Sequence, residues 1–199
     1  MPVQIGGKPL ADFDQPIELL MDCHRRVEKF LQVLLQVAER SENGRLGVTD
    51  VSSLETALEY FVRAAPRHTE DEERSLFPRL KASGDPRARE ALSRIERLEA
   101  DHKQADAGHK RIDELGRLWL LEKVLPGEQV LEFAQVSREL IAFYGSHIRC
   151  EDEEVFPIAR AVLSAEALQS IGKEMKERRI VDHGRSGSDC AKRRAELKR

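Results

Sequence analysis

Two segments of this 199-residue chain match each other position for position. His68 and Glu72 precede Phe77-Pro78, and His147 and Glu151 precede Phe156-Pro157, so both read HxxxExxxxFP. With seven Phe and eight Pro in the chain, a Phe-Pro pair at a fixed offset is roughly a one-in-seven-hundred coincidence. The repeat therefore constrains the fold to two similar halves. On a helix, residues i and i+4 stack on one face about one turn apart, so each His-Glu pair aims an imidazole and a carboxylate at one point.

The sequence around the repeat is helical in period. From Pro16 to Arg40 the apolar residues Ile17, Leu20, Val27, Leu31 and Leu34 recur at three- and four-residue steps, with Asp14 in the N-cap region. Asn43-Gly44 marks a turn, and the period resumes near Asp50 and runs to about Leu80, with a kink or interruption expected at Pro66. Ser83-Gly84-Asp85-Pro86 stops that helix and starts a third, to about Leu125. Pro126-Gly127 opens a fourth, to about Ala161, and a shorter fifth is expected from Ser164 to Arg179. Only 5% of residues are aromatic, while Leu, Ala, Glu and Arg recur, which is an all-α composition. Four long helices with short connections predict an antiparallel up-down-up-down four-helix bundle over residues 16–162, after an N-terminal arm, 1–15. Residues 163–199 add a C-terminal helix and a basic tail.

Charge and cysteine content narrow the function classes. Thirty-three Lys and Arg against thirty-six Asp and Glu give −3, too balanced for nucleic acid or an anionic membrane as main partner. That total conceals +5 on residues 173–199 and −8 on the rest; the tail is expected to be a disordered segment or a loosely held helix. Cys23, Cys150 and Cys190 form no CxxC pair, and an odd count argues against a disulfide framework. The first residues have neither a basic start nor an apolar leader, and no apolar run approaches a membrane span, so a cytoplasmic location is expected. A homodimer is compatible with the sequence, which leaves the oligomeric state open.

Two further histidines extend the repeat. His24 lies 44 residues before His68, and His102 lies 45 before His147, so each half carries one histidine followed by one HxxxE. Counting from the turns at about 1.5 Å per residue puts His24, His68 and His102 within about 3 Å in height, and His147 within about 6 Å. One layer of ligands through the bundle is expected: His24, His68, Glu72, His102, His147 and Glu151. Four imidazoles and two carboxylates exceed one tetrahedral zinc site, yet suit two metals sharing carboxylates. Two iron ions with a bridging oxygen species lead, ahead of manganese or zinc, and leave room for dioxygen, peroxide or nitric oxide.

This pattern, with its acidic runs and Phe-Pro pairs, resembles the hemerythrin-like HHE cation-binding domain over about residues 16–162. The resemblance implies a four-helix bundle holding a non-haem di-iron centre, bridged by the two glutamates and an oxygen atom. It also implies binding of dioxygen or a related small oxidant for sensing, storage or stress response. An enzyme reducing peroxide or nitric oxide, or supporting iron-sulfur repair, is the alternative, followed by a metal-free helical scaffold. Binding leads over enzymatic activity because no flavin, haem or CxxC electron-transfer motif is present. Ferritin-like sites carry their carboxylate before the histidine, the reverse of the order here.

The chain departs from the family's oxygen carriers, which place a second histidine four residues after that of the third helix. Asp106 stands there, and His109 lies seven after His102. Glu28 likewise follows His24 by four. All three return to the ligand face, and the sequence leaves open whether any joins the metal. Tyr144, three before His147, is either a donor or redox partner facing the metal or a core aromatic. Cys23 and Cys150 adjoin proposed ligands but are rotated about 100° from them, which predicts packing. The acidic runs 70–73 and 151–154 are expected to give one ligand each and otherwise to be solvated. Pro78 and Pro157 are expected to end or bend their helices, and His183 belongs to the tail.

Overall fold

The computed structural model describes residues 11–196, with side chains described as far as residue 180. Helix α1 spans Pro16–Arg40, with Pro16 in the first turn, where a missing N–H costs nothing. The second long helix is in pieces: α2, Val48–Arg63; α3, Ala65–Asp71; a π-helical turn, Glu72–Leu76; and α4, Phe77–Ala82. The break at Ala64 is the one expected from Pro66, whose ring would crowd the carbonyl of Val62 in an unbroken helix. Helix α5, Pro86–Glu122, is capped by Asp85, whose carboxylate accepts the Arg87 N–H at 2.9 Å. Helix α6, Gly127–Cys150, passes through a second π turn, Glu151–Val155, into α7, Phe156–Val162. The Phe-Pro prolines thus do not end their helices, which continue to Ala82 and Val162. Each follows a widened turn that carries the chain past the residue lacking an N–H.

The expected C-terminal helix is present and longer than its sequence signal. Helix α8 runs Ala165–Glu196, beyond the expected end at Arg179, and Ile171 and Met175 are fully buried. These two residues sit on one face with the partly buried Leu168, so the start of the basic tail is docked on the bundle. His183 lies outside the residues whose side chains are described. Among the described residues there is no strand, and no helix is long and apolar enough to cross a membrane.

Neighbouring long helices meet in opposite sequence order. Glu18 pairs with Arg160 and Glu39 with Arg138 along α1 and the α6–α7 helix, while Arg111–Glu132 and Arg94–Glu154 do so for α5. Leu58 packs beside Gly116, and Lys81 pairs with Glu99, which makes the second long helix antiparallel to α5. Two apolar clusters fill the bundle. One includes Leu31, Leu34, Leu54, Trp119 and Phe133; the other includes Leu20, Leu76, Phe77, Ile95, Phe156 and Ile171. Along α1, His24 lies between Leu20 of one cluster and Val27 of the other.

The α1–α2 and α5–α6 turns are tied at one end of the bundle. Gly44 O accepts from Leu125 N at 2.9 Å and from Trp119 Nε1 at 2.8 Å. At Gly44 φ is +72°, and an added Cβ would sit 1.9 Å from the Leu125 carbonyl oxygen. Gly44→Ala is therefore expected to destabilise by roughly 2–4 kcal/mol in urea unfolding, from left-handed strain plus overpacking. A loss below about 0.5 kcal/mol would show that the turn yields freely.

Candidate metal centre

The two HxxxE pairs stack as helical spacing requires, and the opposite helices bring the remaining histidines to them. His68 Nε2 lies 3.4 Å from Glu72 Oε1, and His147 Nε2 lies 3.2 Å from Glu151 Oε2. Across the bundle, His24 Nε2 is 3.1 Å from Glu151 Oε2 and 3.7 Å from Glu72 Oε1. His102 Nε2 is 3.6 Å from Glu72 Oε2. His24, His68, Glu72 and Glu151 form one group that could grip a cation, and His102, His147 and Glu151 form another. Glu151 is common to both, while Glu72 turns one oxygen toward His24 and His68 and the other toward His102.

Both glutamates are fully buried, yet none of their four carboxylate oxygens has an aligned hydrogen-bond partner; His24 Nε2 also lacks one. Buried carboxylates are costly unless paired or coordinating. Lone pairs converging without donors between them are what a cation would satisfy, and the His/Glu donors suit iron, manganese or zinc.

The outer nitrogens are braced by acids, two of which, Asp152 and Glu73, lie in the runs that the sequence reading left to solvent. His24 Nδ1 lies 2.7 Å from Asp152 Oδ1, His102 Nδ1 2.9 Å from Glu73 Oε1, and His147 Nδ1 3.4 Å from Asp101 Oδ2. A carboxylate at Nδ1 fixes the proton there and turns the Nε2 lone pair inward. Asp152 is held in turn by Arg25 at 2.6 Å. Glu73 and Asp152 each directly follow the glutamate of their repeat, and each braces a histidine of the other half. An acid at the same place in both copies was the available signal. Asp71 is also buried rather than solvated, with Arg178 and Arg179 each 2.7 Å from its carboxylate.

Residues 15–159 match the Hemerythrin HHE cation binding domain. The chain belongs to the hemerythrin HHE family. It is also 32% identical over 171 residues to an uncharacterized protein of Haemophilus influenzae, covering 86% of this chain and 94% of that one.

Within this hemerythrin domain three further positions stand outside the ligand groups. Asp106 and Glu28 are exposed, Glu28 beside Arg25, and neither belongs to a ligand group. His109 is also outside them; its Nε2 lies 2.8 Å from Tyr144 Oη. Cys23 and Cys150 are buried free thiols that accept from Arg26 and Arg97.

The hemerythrin site holds protons as well as space for cations. Burial, reinforced by the charge on Glu151, pushes the Glu72 carboxyl up to about 7. At Glu151 burial acts the same way, but the His147 and His24 rings outweigh it and hold the group well below the usual carboxylate range. Burial opposes protonation of His24 and His147 too, yet Asp152 and Glu151 raise the first and Glu151 the second. Burial carries His68 well below its ordinary value, with the charge on His24 acting the same way. Cations must displace protons from the raised groups, so retention is expected to fall as pH drops below about 7. Each displaced proton costs about tenfold in apparent affinity per pH unit. Metal analysis after exchange against a weak chelator checks this, and undiminished retention from pH 8 to 5 would contradict it.

Proposed function

We propose that the protein is a non-haem di-iron protein that binds dioxygen or a related small oxidant, for sensing, storage or stress response in the cytoplasm. The observation that carries this reading is a set of four orphaned carboxylate oxygens facing four histidines beside a cavity of about 20 Å³. That space suits a guest of a few atoms rather than an organic substrate. His24, His68, Glu72 and Glu151 would hold one iron, and His102, His147 and Glu151 the other, with the second oxygen of Glu72 turned toward it.

Bound iron supplies redox-active centres with open coordination positions for a small oxidant. The chain's own residues set the rest. Asp152, Glu73 and Asp101 orient three of the imidazoles, and Val27, Ala65 and Ile148 give the cavity apolar walls that favour a small uncharged guest.

Elemental analysis and optical spectra of the protein from iron-supplemented cells test the reading. About two irons per chain are expected, with a visible band that forms when dioxygen reaches the reduced protein and reverses under argon. Trace metal in well-folded protein would refute the metal centre. Rapid irreversible oxidation with peroxide turnover would replace binding by the enzyme alternative.

A further inference from the structure

His109 and Tyr144 lie outside both ligand groups, yet they meet beside the cavity. Tyr144 lines it with the four histidines, and its ring packs edge-on to His147 with centroids 5.9 Å apart. Its Oη is 2.8 Å from His109 Nε2, and Phe61 stacks on the His109 ring at 4.9 Å. His109 Nδ1 is buried with no hydrogen-bond partner.

These facts decide where the protons sit. Burial pushes His109 down to about 4, so near neutral pH its ring carries one N–H. If that N–H is at Nδ1, a buried donor is left without an acceptor. If it is at Nε2, the N–H donates to Tyr144 Oη, and only a bare acceptor is left at Nδ1. Orphaned buried N–H groups are rarer than under-satisfied acceptors, which selects the Nε2–H form. The Tyr144 oxygen then accepts from His109, and its own O–H is free to donate to something else. A tyrosine hydroxyl keeps its proton near neutral pH, so it can donate.

We propose that Tyr144 donates a hydrogen bond to a small electronegative guest in the cavity, and that His109 is the positioning residue that aims its hydroxyl there. The proposal rests on the metal-centre reading above and adds to it a polar contact that selects among guests: one able to accept a hydrogen bond is retained, and an apolar one of equal size is not. It would also slow the guest's departure without any change in the ligand set.

Two measurements test it. In the metal-free protein, ¹⁵N NMR of the histidine rings is expected to show His109 as the Nε2–H tautomer; an Nδ1–H tautomer overturns the proposal. In the iron-loaded oxidised protein, azide serves as the guest and is titrated optically. Tyr144→Phe, which keeps the ring, is expected to weaken azide binding about tenfold with iron content unchanged, the effect of losing one hydrogen bond. His109→Leu is expected to weaken it comparably, and His109→Gln, which restores a donor, to recover most of the loss. Unchanged azide affinity in an iron-replete Tyr144→Phe variant overturns this proposal alone. A wild-type protein that takes up no iron overturns the metal-centre reading and this proposal together.

Discussion

Glu151→Ala is expected to abolish binding of both cations, whereas His68→Ala is expected to impair one site more than the other. The asymmetry follows from membership: Glu151 belongs to both ligand groups, and His68 to one. Binding energy at a site gripped by all four long helices is also folding energy. At about a thousandfold excess over Kd, a ligand specific for the folded state adds about 4 kcal/mol. Thermal unfolding of the wild type should therefore shift upward on iron(II) addition under anaerobic conditions and fall back with a chelator. The Glu151→Ala protein should show neither change. Full metal occupancy in that variant would remove Glu151 from the ligand set.

An effect of similar size is expected inside the first repeat, next to Glu72. Asp71 has no exposed surface, and its two oxygens are matched by Arg178 and Arg179 of α8 at 2.7 Å each. Arg178 also reaches Ser75 Oγ at 2.6 Å, so α8 grips the π turn that opens at Glu72. Removing both arginines leaves a buried carboxylate without its partners, which costs about 3–5 kcal/mol by the usual behaviour of broken buried pairs. The double variant Arg178→Ala/Arg179→Ala should lose that much in urea unfolding, and adding Asp71→Asn should recover part of it by removing the stranded charge. A loss under 1 kcal/mol would mean that water enters and solvates Asp71.

The contrast between Glu72 and Asp71 explains what the sequence disclosed. Glu72 was legible because it recurs with His68 at a helical interval and the same pair recurs at His147 and Glu151. Local periodicity also placed the four long helices within a few residues, since their caps and breakers, such as Asp85-Pro86 and Pro126-Gly127, act through the backbone nearby. Asp71 was illegible because its partners lie more than a hundred residues downstream, where a disordered or loosely held tail was expected to begin. The π turns escaped for a different reason. Each opens at the repeat's glutamate, and a single wide turn barely disturbs a period read over a whole helix. Asp101 lacked any signal, as it has no counterpart in the first half beside His24, where Cys23 stands.

The two apolar clusters on either side of the ligand layer have a bearing on how the bundle opens. Each is a dry block with its own large buried side chains, Trp119 and Phe133 in one, Phe77 and Phe156 in the other. Between them runs a stratum of partly unsatisfied polar groups, which is a natural boundary for sub-global unfolding. Without a cation, one block can fray while the other keeps its amides shielded from exchange. A cation held by residues of every long helix removes that independence, because loosening either block strips ligands from the same ion. Hydrogen exchange should then report two protection levels in the metal-free chain and one in the loaded chain, so the site sets the cooperativity of the fold as well as its chemistry.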